Sequence, residues 1–131
     1  MNGEIKTLWL AALRSGEYQQ GMNYLRSDFS GKPRFCCLGV LCDIAEKAGV
    51  VEWKEAHLND QGQEVLRGYF KEDQTHGGNG ELPDAVMKWA GLDRHNPNVV
   101  YAGAKQSLAG LNDAEGLSFD TIATTIENQI P

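Results

Sequence analysis

The stretch "PRFCCLGVLCDIAEKAG", residues 33–49, constrains the fold more than any other part of this 131-residue chain. At about 100° per residue, a helix places Asp43, Glu46 and Lys47 on one side, which is its wet face. Leu38, Leu41, Ile44, Ala45 and Ala48 lie opposite. Cys37 sits in the apolar stripe beside Leu41 and Ile44, and Cys42 sits at its edge next to Leu38 and Ala45. Cys36 and Gly39 fall on the polar side, which leaves one reachable thiol. A helix that is nearly apolar all round in its first half must be enclosed by other elements. The pattern therefore predicts a central core helix over 36–48, stopped at Gly49, with Pro33 forcing an extended lead-in.

Around that helix the chain reads as short elements separated by glycine and proline. Ile5, Leu8, Trp9, Ala12 and Leu13 recur at helical spacing, and Gly16 supplies the stop. "MNYLR" and "VVEW" read as short strands. The polar segment "HLNDQGQEVLRGYFKEDQTHGGNGE", with its glycine-rich "HGGNG", reads as a loop over 62–80. "LPDAVMKWAGL" has Pro83 near its first turn and Gly91 at its end, as a short helix does. "VVYAG" gives a strand. In "LSFDTIATTIENQI", Ser118 caps a closing helix whose stripe is Phe119, Ile122, Ala123, Ile126 and Ile130. "LNDQG" and "LNDAEG" read as two Asx-type turns. The sum predicts one compact α+β domain over 1–131. Three main helices (3–15, 36–48, 118–130) and a shorter one near 83–91 pack on a small, mostly antiparallel sheet.

The bulk properties narrow the function classes. A formal charge of −6, from 12 basic and 18 acidic residues, argues against a broad nucleic-acid face. The tightest basic set, Arg26, Lys32 and Arg34, is sized for one anionic ligand. No run reaches membrane-span length and no signal-peptide pattern opens the chain, so a soluble, cytoplasmic protein is expected. Three cysteines form an odd count, which fits reduced thiols.

The cysteines also raise a chemical possibility. A helix N-terminus stabilises a thiolate through its dipole and free N–H groups. A hydrolase further needs a histidine aimed at the sulfur, and His57, His76 and His95 are the three available. Zinc is not expected, because Cys37 and Cys42 project about 140° apart on one helix and no paired-ligand spacing occurs. "HGGNG" lacks the Lys-Ser/Thr of a phosphate-binding loop, and no cofactor is implied.

"FCCLGVLCDIAEKAG" resembles the nucleophile helix of the NlpC/P60 papain-like peptidases, where an Asp-Cys-Ser-Gly-Leu stretch opens a helix ending in Ala-Gly. The resemblance implies Cys37 as nucleophile, with Cys36 in place of the acidic residue and Leu38 in place of the serine. A wider resemblance runs from Arg34 onward through "ELPDAVMKWAGLDRHNP" and "LAGLNDAEGLSFDTIATTIE". It is to small uncharacterised proteins of tailed bacteriophages and prophages, and it implies an accessory role such as counter-defence.

Two functional expectations follow. The first is a non-catalytic phage accessory protein that binds a host defence protein, or a small nucleotide-like anion near Arg34 and the start of the cysteine helix. Arg34, Cys36, Gly39, Trp89, Asn112 and Asp113 are the candidate binding residues. Trp89 is included because a chain turn follows it and its indole N–H needs a partner. The second is a cysteine hydrolase or transferase that uses Cys37 or Cys36 with His57, His76 or His95.

Overall fold

A computed structural model describes residues 1–29, 31–58, 64–68 and 80–131; of these, the side chains of Phe29, 54–58 and 64–68 lie outside the description. In chain order the elements are α1 (Gly3–Arg14), β1 (Arg26–Phe29), β2 (Lys32–Phe35), α2 (Cys37–Lys47), β3 (Lys54–Leu58), β4 (Glu64–Gly68), α3 (Asp84–Ala90), β5 (Asn98–Tyr101), β6 (Ala104–Ser107), α4 (Leu108–Asp113) and α5 (Phe119–Gln129). The mixed α+β class expected from sequence is what forms, and its sheet pairing is antiparallel.

Local chemistry sets the helix ends. The Asn2 Oδ1 accepts from Ile5 N at 3.0 Å and opens α1. Ser118 Oγ accepts from Thr121 N at 3.3 Å and opens α5, as the sequence predicted. Pro83 immediately precedes α3, and Gly91 closes it in the left-handed conformation with φ 72°. α1 buries Ile5, Trp9, Leu10 and Leu13, whereas Leu8, placed by periodicity in the stripe, is 54% exposed.

α2 is the centre of the molecule, and eight of its eleven residues are buried. It packs against α1 and α4 and also touches α3 and β2, while α1 in turn packs on α5. The larger sheet has strand order β2-β1-β4-β3, and β5 and β6 form a separate hairpin. The two-residue turn of that hairpin is Ala102 and Gly103, with φ 52° and 79°, which suits the right-handed twist of its strands.

Several sequence expectations are corrected. The strand expected at "MNYLR" begins only at Arg26, and "VVEW" forms no strand. The expected 62–80 loop contains β4, a central strand whose Glu-Val-Leu-Arg-Gly sequence carries too little apolar alternation to signal itself. The remainder of that loop, "HGGNG" with His76 included up to Asn79, lies outside the described residues. "LNDAEG" is not an Asx turn at Asn112, because Leu111–Asp113 complete α4; most of "LNDQG" lies outside the description. Among the described residues, no helix is long and apolar enough to cross a membrane.

Candidate functional site

The first turn of α2 is where the sequence pointed, and the structure closes it. Cys36 is the N-cap, and its Sγ accepts from Gly39 N at 3.4 Å. Cys37 N donates to Asn112 Oδ1 at 3.2 Å, and Val40 N bonds Cys36 O at 3.1 Å. Two of the N–H groups that would have received an anion, those of Cys37 and Gly39, are therefore used within the protein.

The thiol assigned to the accessible side is buried. Cys36 is 2% exposed, Cys37 0% and Cys42 1%. Periodicity was right about Cys37 and Cys42 and wrong about Cys36 and Gly39. The helical wheel counts only a helix's own faces, and here the chain before β1 crosses the remaining side. A Cβ built on Gly39 would lie 1.7 Å from Leu25 O, so the Leu25 main chain lies directly on the glycine. Burial pushes the Cys36 thiol up to about 12, against partial relief from the Gly39 and Leu38 N–H groups. Burial likewise raises Cys37 and Cys42 well above the ordinary thiol value, with the neighbouring Cys36 adding to it. Neutral thiols this enclosed are poor nucleophiles.

Asn112 and Asp113 are brought to this turn. Asn112 is 1% exposed, and its amide is fully used. The Oδ1 accepts from Gln20 Nε2 at 2.8 Å as well as from Cys37 N, and the Nδ2 donates to Gly21 O and Asp113 Oδ1, each at 2.8 Å. Asp113 Oδ1 also accepts from Asn23 N at 2.9 Å. One side chain thus joins α4, α2 and the segment before β1. Gln20, which also donates to Leu117 O at 2.8 Å, was missed because a glutamine in an irregular segment carries no sequence signal of its partners.

A second polar cluster was also missed. Asp43, assigned to the wet face, is only 9% exposed. Its Oδ2 accepts from Tyr18 Oη at 2.5 Å and pairs with Lys47 at 3.2 Å, and its Oδ1 accepts from Trp53 Nε1 at 3.3 Å. Burial and the Asp43 hydrogen bond both hold the Tyr18 phenol above its ordinary value, so it is a donor here and not a base. Beside it the Arg26 guanidinium lies 5.4 Å from the Phe35 ring centre and 5.8 Å from that of Trp53, and it pairs with Asp28 at 2.8 Å.

The other expected residues are dispersed. Register pairs Arg26 with Phe35 and Ser27 with Arg34, so Arg26 lies on one face of the sheet while Arg34 and Lys32 lie on the other. The three cations do not converge. Trp89 is half-buried against the core, as a packing residue. His57 falls in β3 with its side chain outside the description. His95 Nε2 pairs with Asp84 Oδ1 at 2.5 Å. The described thiol contacts are Cys36 with Gly39 N and Cys37 Sγ with Leu108 O at 3.5 Å, and neither involves an imidazole. Among the described residues, no cluster of His, Cys, Asp and Glu is arranged to hold a metal ion.

Open clefts of about 200, 240 and 280 Å³ lie elsewhere, beside β6 and the end of α5, between α1 and α5, and beside Gly91. No curated protein and no solved structure matches the chain. A family model described as a domain of unknown function (DUF8296) matches residues 1–130, and the protein belongs to that family.

Proposed function

We propose that this protein is a non-catalytic accessory protein of phage or prophage type, acting by binding a host protein such as a defence component. The phage type and the host partner rest on the resemblance that runs from Arg34 onward, and the observation that carries the non-catalytic part is the closure of the α2 first turn. The three thiols are buried and neutral, and the Cys37 and Gly39 N–H groups are taken by Asn112 and Cys36, which argues against both covalent catalysis and capture of a small anion there. The nucleotide-like ligand is the weaker variant, because Arg26 lies on the opposite face of the sheet from Lys32 and Arg34, so the three cations do not converge on one anion. An acidic surface, with a net charge of −6, favours partners with a basic face.

Two measurements test this. Native thiol labelling is expected to be slow for all three cysteines; one thiol reacting far faster than in the unfolded chain, with an apparent pKa below about 8.5, revives the hydrolase reading. Capture from host lysate, followed by reconstitution with the purified partner, is expected to give a stoichiometric complex. A co-purifying nucleotide with no protein partner overturns the proposal.

A further inference from the structure

Residues 19–24 cross from the end of the α1 region to Leu25 over the α2–α4 junction. The segment contributes no buried side chain: Gln19, Met22 and Asn23 are exposed, and Gln20, Gly21 and Tyr24 are half-buried. The chain is anchored on either side by Leu13, 3% exposed, and Leu25, 0% exposed. Tyr18 adds an edge-on ring contact with Phe35 at 5.1 Å just before the segment, and within 19–24 the hydrogen-bonded attachments are polar. Gly21 N donates to Phe35 O at 2.7 Å, and Phe35 N donates to Gln19 O at 2.9 Å. Gln20 reaches Asn112 and Leu117, Gly21 O receives the Asn112 amide, and Asn23 N reaches Asp113. Bonds of this kind exchange for bonds to water at small net cost, whereas the helices behind them bury apolar side chains. Segments with few buried apolar contacts open well below the free energy of global unfolding.

We propose that residues 19–24 form a strap that opens as its own unit while the rest of the protein stays folded, latched by Asn112 and Asp113 of α4. Opening breaks defined contacts. Asn112 keeps the Cys37 N–H on its Oδ1 but loses Gln20 and Gly21, and Asp113 loses the Asn23 N–H. An amide donor, a carbonyl lone pair and a carboxylate are then released together beside the first turn of α2. The seat on β2 is close, since a Cβ on Gly21 would meet Arg34 Cβ at 2.9 Å.

Native-state hydrogen exchange through a series of sub-denaturing urea concentrations tests the strap. The Gly21, Asn23 and Phe35 amides report its opening, and Leu41 and Ala45 report the core. The reporters are expected to exchange at least roughly 100-fold faster than the core amides, with little urea dependence. The conservative Ile126→Val variant, distant in sequence on α5, separates local from global opening. It should speed core exchange by about two- to tenfold and leave the three strap amides unchanged. Asp113→Ala should speed the strap amides by about ten- to a hundredfold. If the strap and core amides share one rate, one urea dependence and one response to Ile126→Val, the strap does not open separately and the proposal is overturned.

Discussion

Replacing Gly39 by alanine adds one methyl group at the closest crossing in the fold, and two effects of opposite sign meet there. Within a helix, alanine is favoured over glycine by about 1 kcal/mol, so propensity alone predicts a stabilised protein. Sterics predict the reverse. The new Cβ would lie 1.7 Å from Leu25 O, 2.6 Å from Leu25 C and 3.1 Å from Leu25 Cα, and all three are main-chain atoms. No side-chain rotation relieves the contact. Bringing it from 1.7 Å to the 3.0 Å floor of real Cβ contacts moves one backbone against the other by about 1.3 Å. Both partners are fixed, because Leu25, Leu38, Val40 and Leu41 are all 0% exposed.

Overpacking a core by one methyl group costs about 1–3 kcal/mol, and a clash of backbone with backbone belongs at or above the top of that range. After the propensity gain, a net loss of at least about 2 kcal/mol remains. For a chain of this length that is a fall in Tm of roughly 8 °C. The control is Gly3→Ala in α1, where nothing lies within 4 Å of the added Cβ. That variant should be unchanged or slightly stabilised. Urea and thermal unfolding followed by circular dichroism read both. If Gly39→Ala matches or exceeds the wild type in Tm, Leu25 does not cross α2 as described, and the account of why Cys36 is buried fails with it.

Three further expectations follow. Asn112→Ala leaves Gly21 O and Cys37 N without a buried partner and should cost about 3 kcal/mol in urea unfolding; a loss below about 1 kcal/mol would mean that the amide joins nothing. Tyr18→Phe removes one donor from the Asp43 carboxylate and should cost about 1 kcal/mol, with an unchanged urea midpoint counting against the cluster. Stability should also fall on the alkaline side. Unfolded thiols ionise near pH 8.5, whereas Cys36 holds its proton to about 12 and Cys37 and Cys42 are raised as well, so above pH 8.5 the folded state binds more protons than the unfolded state. The loss should reach roughly 2 kcal/mol by pH 10 for Cys36 alone, with Cys37 and Cys42 adding to it in the same direction, and Cys42→Ala should make the fall shallower; a pH profile flat from 7 to 10 would show that the thiols are not enclosed.

What was legible in the sequence was local. The apolar run of α2, the Ser118 cap and the Pro83 and Gly91 boundaries of α3 all rest on contacts within a few residues of their own element. What was not legible depends on residues far apart in the chain. Asn112 finds Gln20, Gly21 and Cys37, and Asp43 finds Tyr18, only once the fold has brought them together. β4 reads as a loop because its neighbours, and not its own pattern, make it central.

Cys36 and Gly39 show the difference most clearly. A helical wheel sorts residues by whether their side chains prefer oil or water, and by that measure both stood with the polar residues. The partner of Gly39 is the Leu25 main chain, which approaches because the glycine has no side chain there. A small residue on the polar side of an otherwise apolar helix is therefore ambiguous in a way that a lysine or glutamate is not. It marks either solvent or a close backbone crossing, and the nearly apolar surroundings of Gly39 in "CCLGVLC" weigh toward the crossing. By the same reasoning, Cys36 is better read as a buried N-cap under that crossing than as an exposed nucleophile.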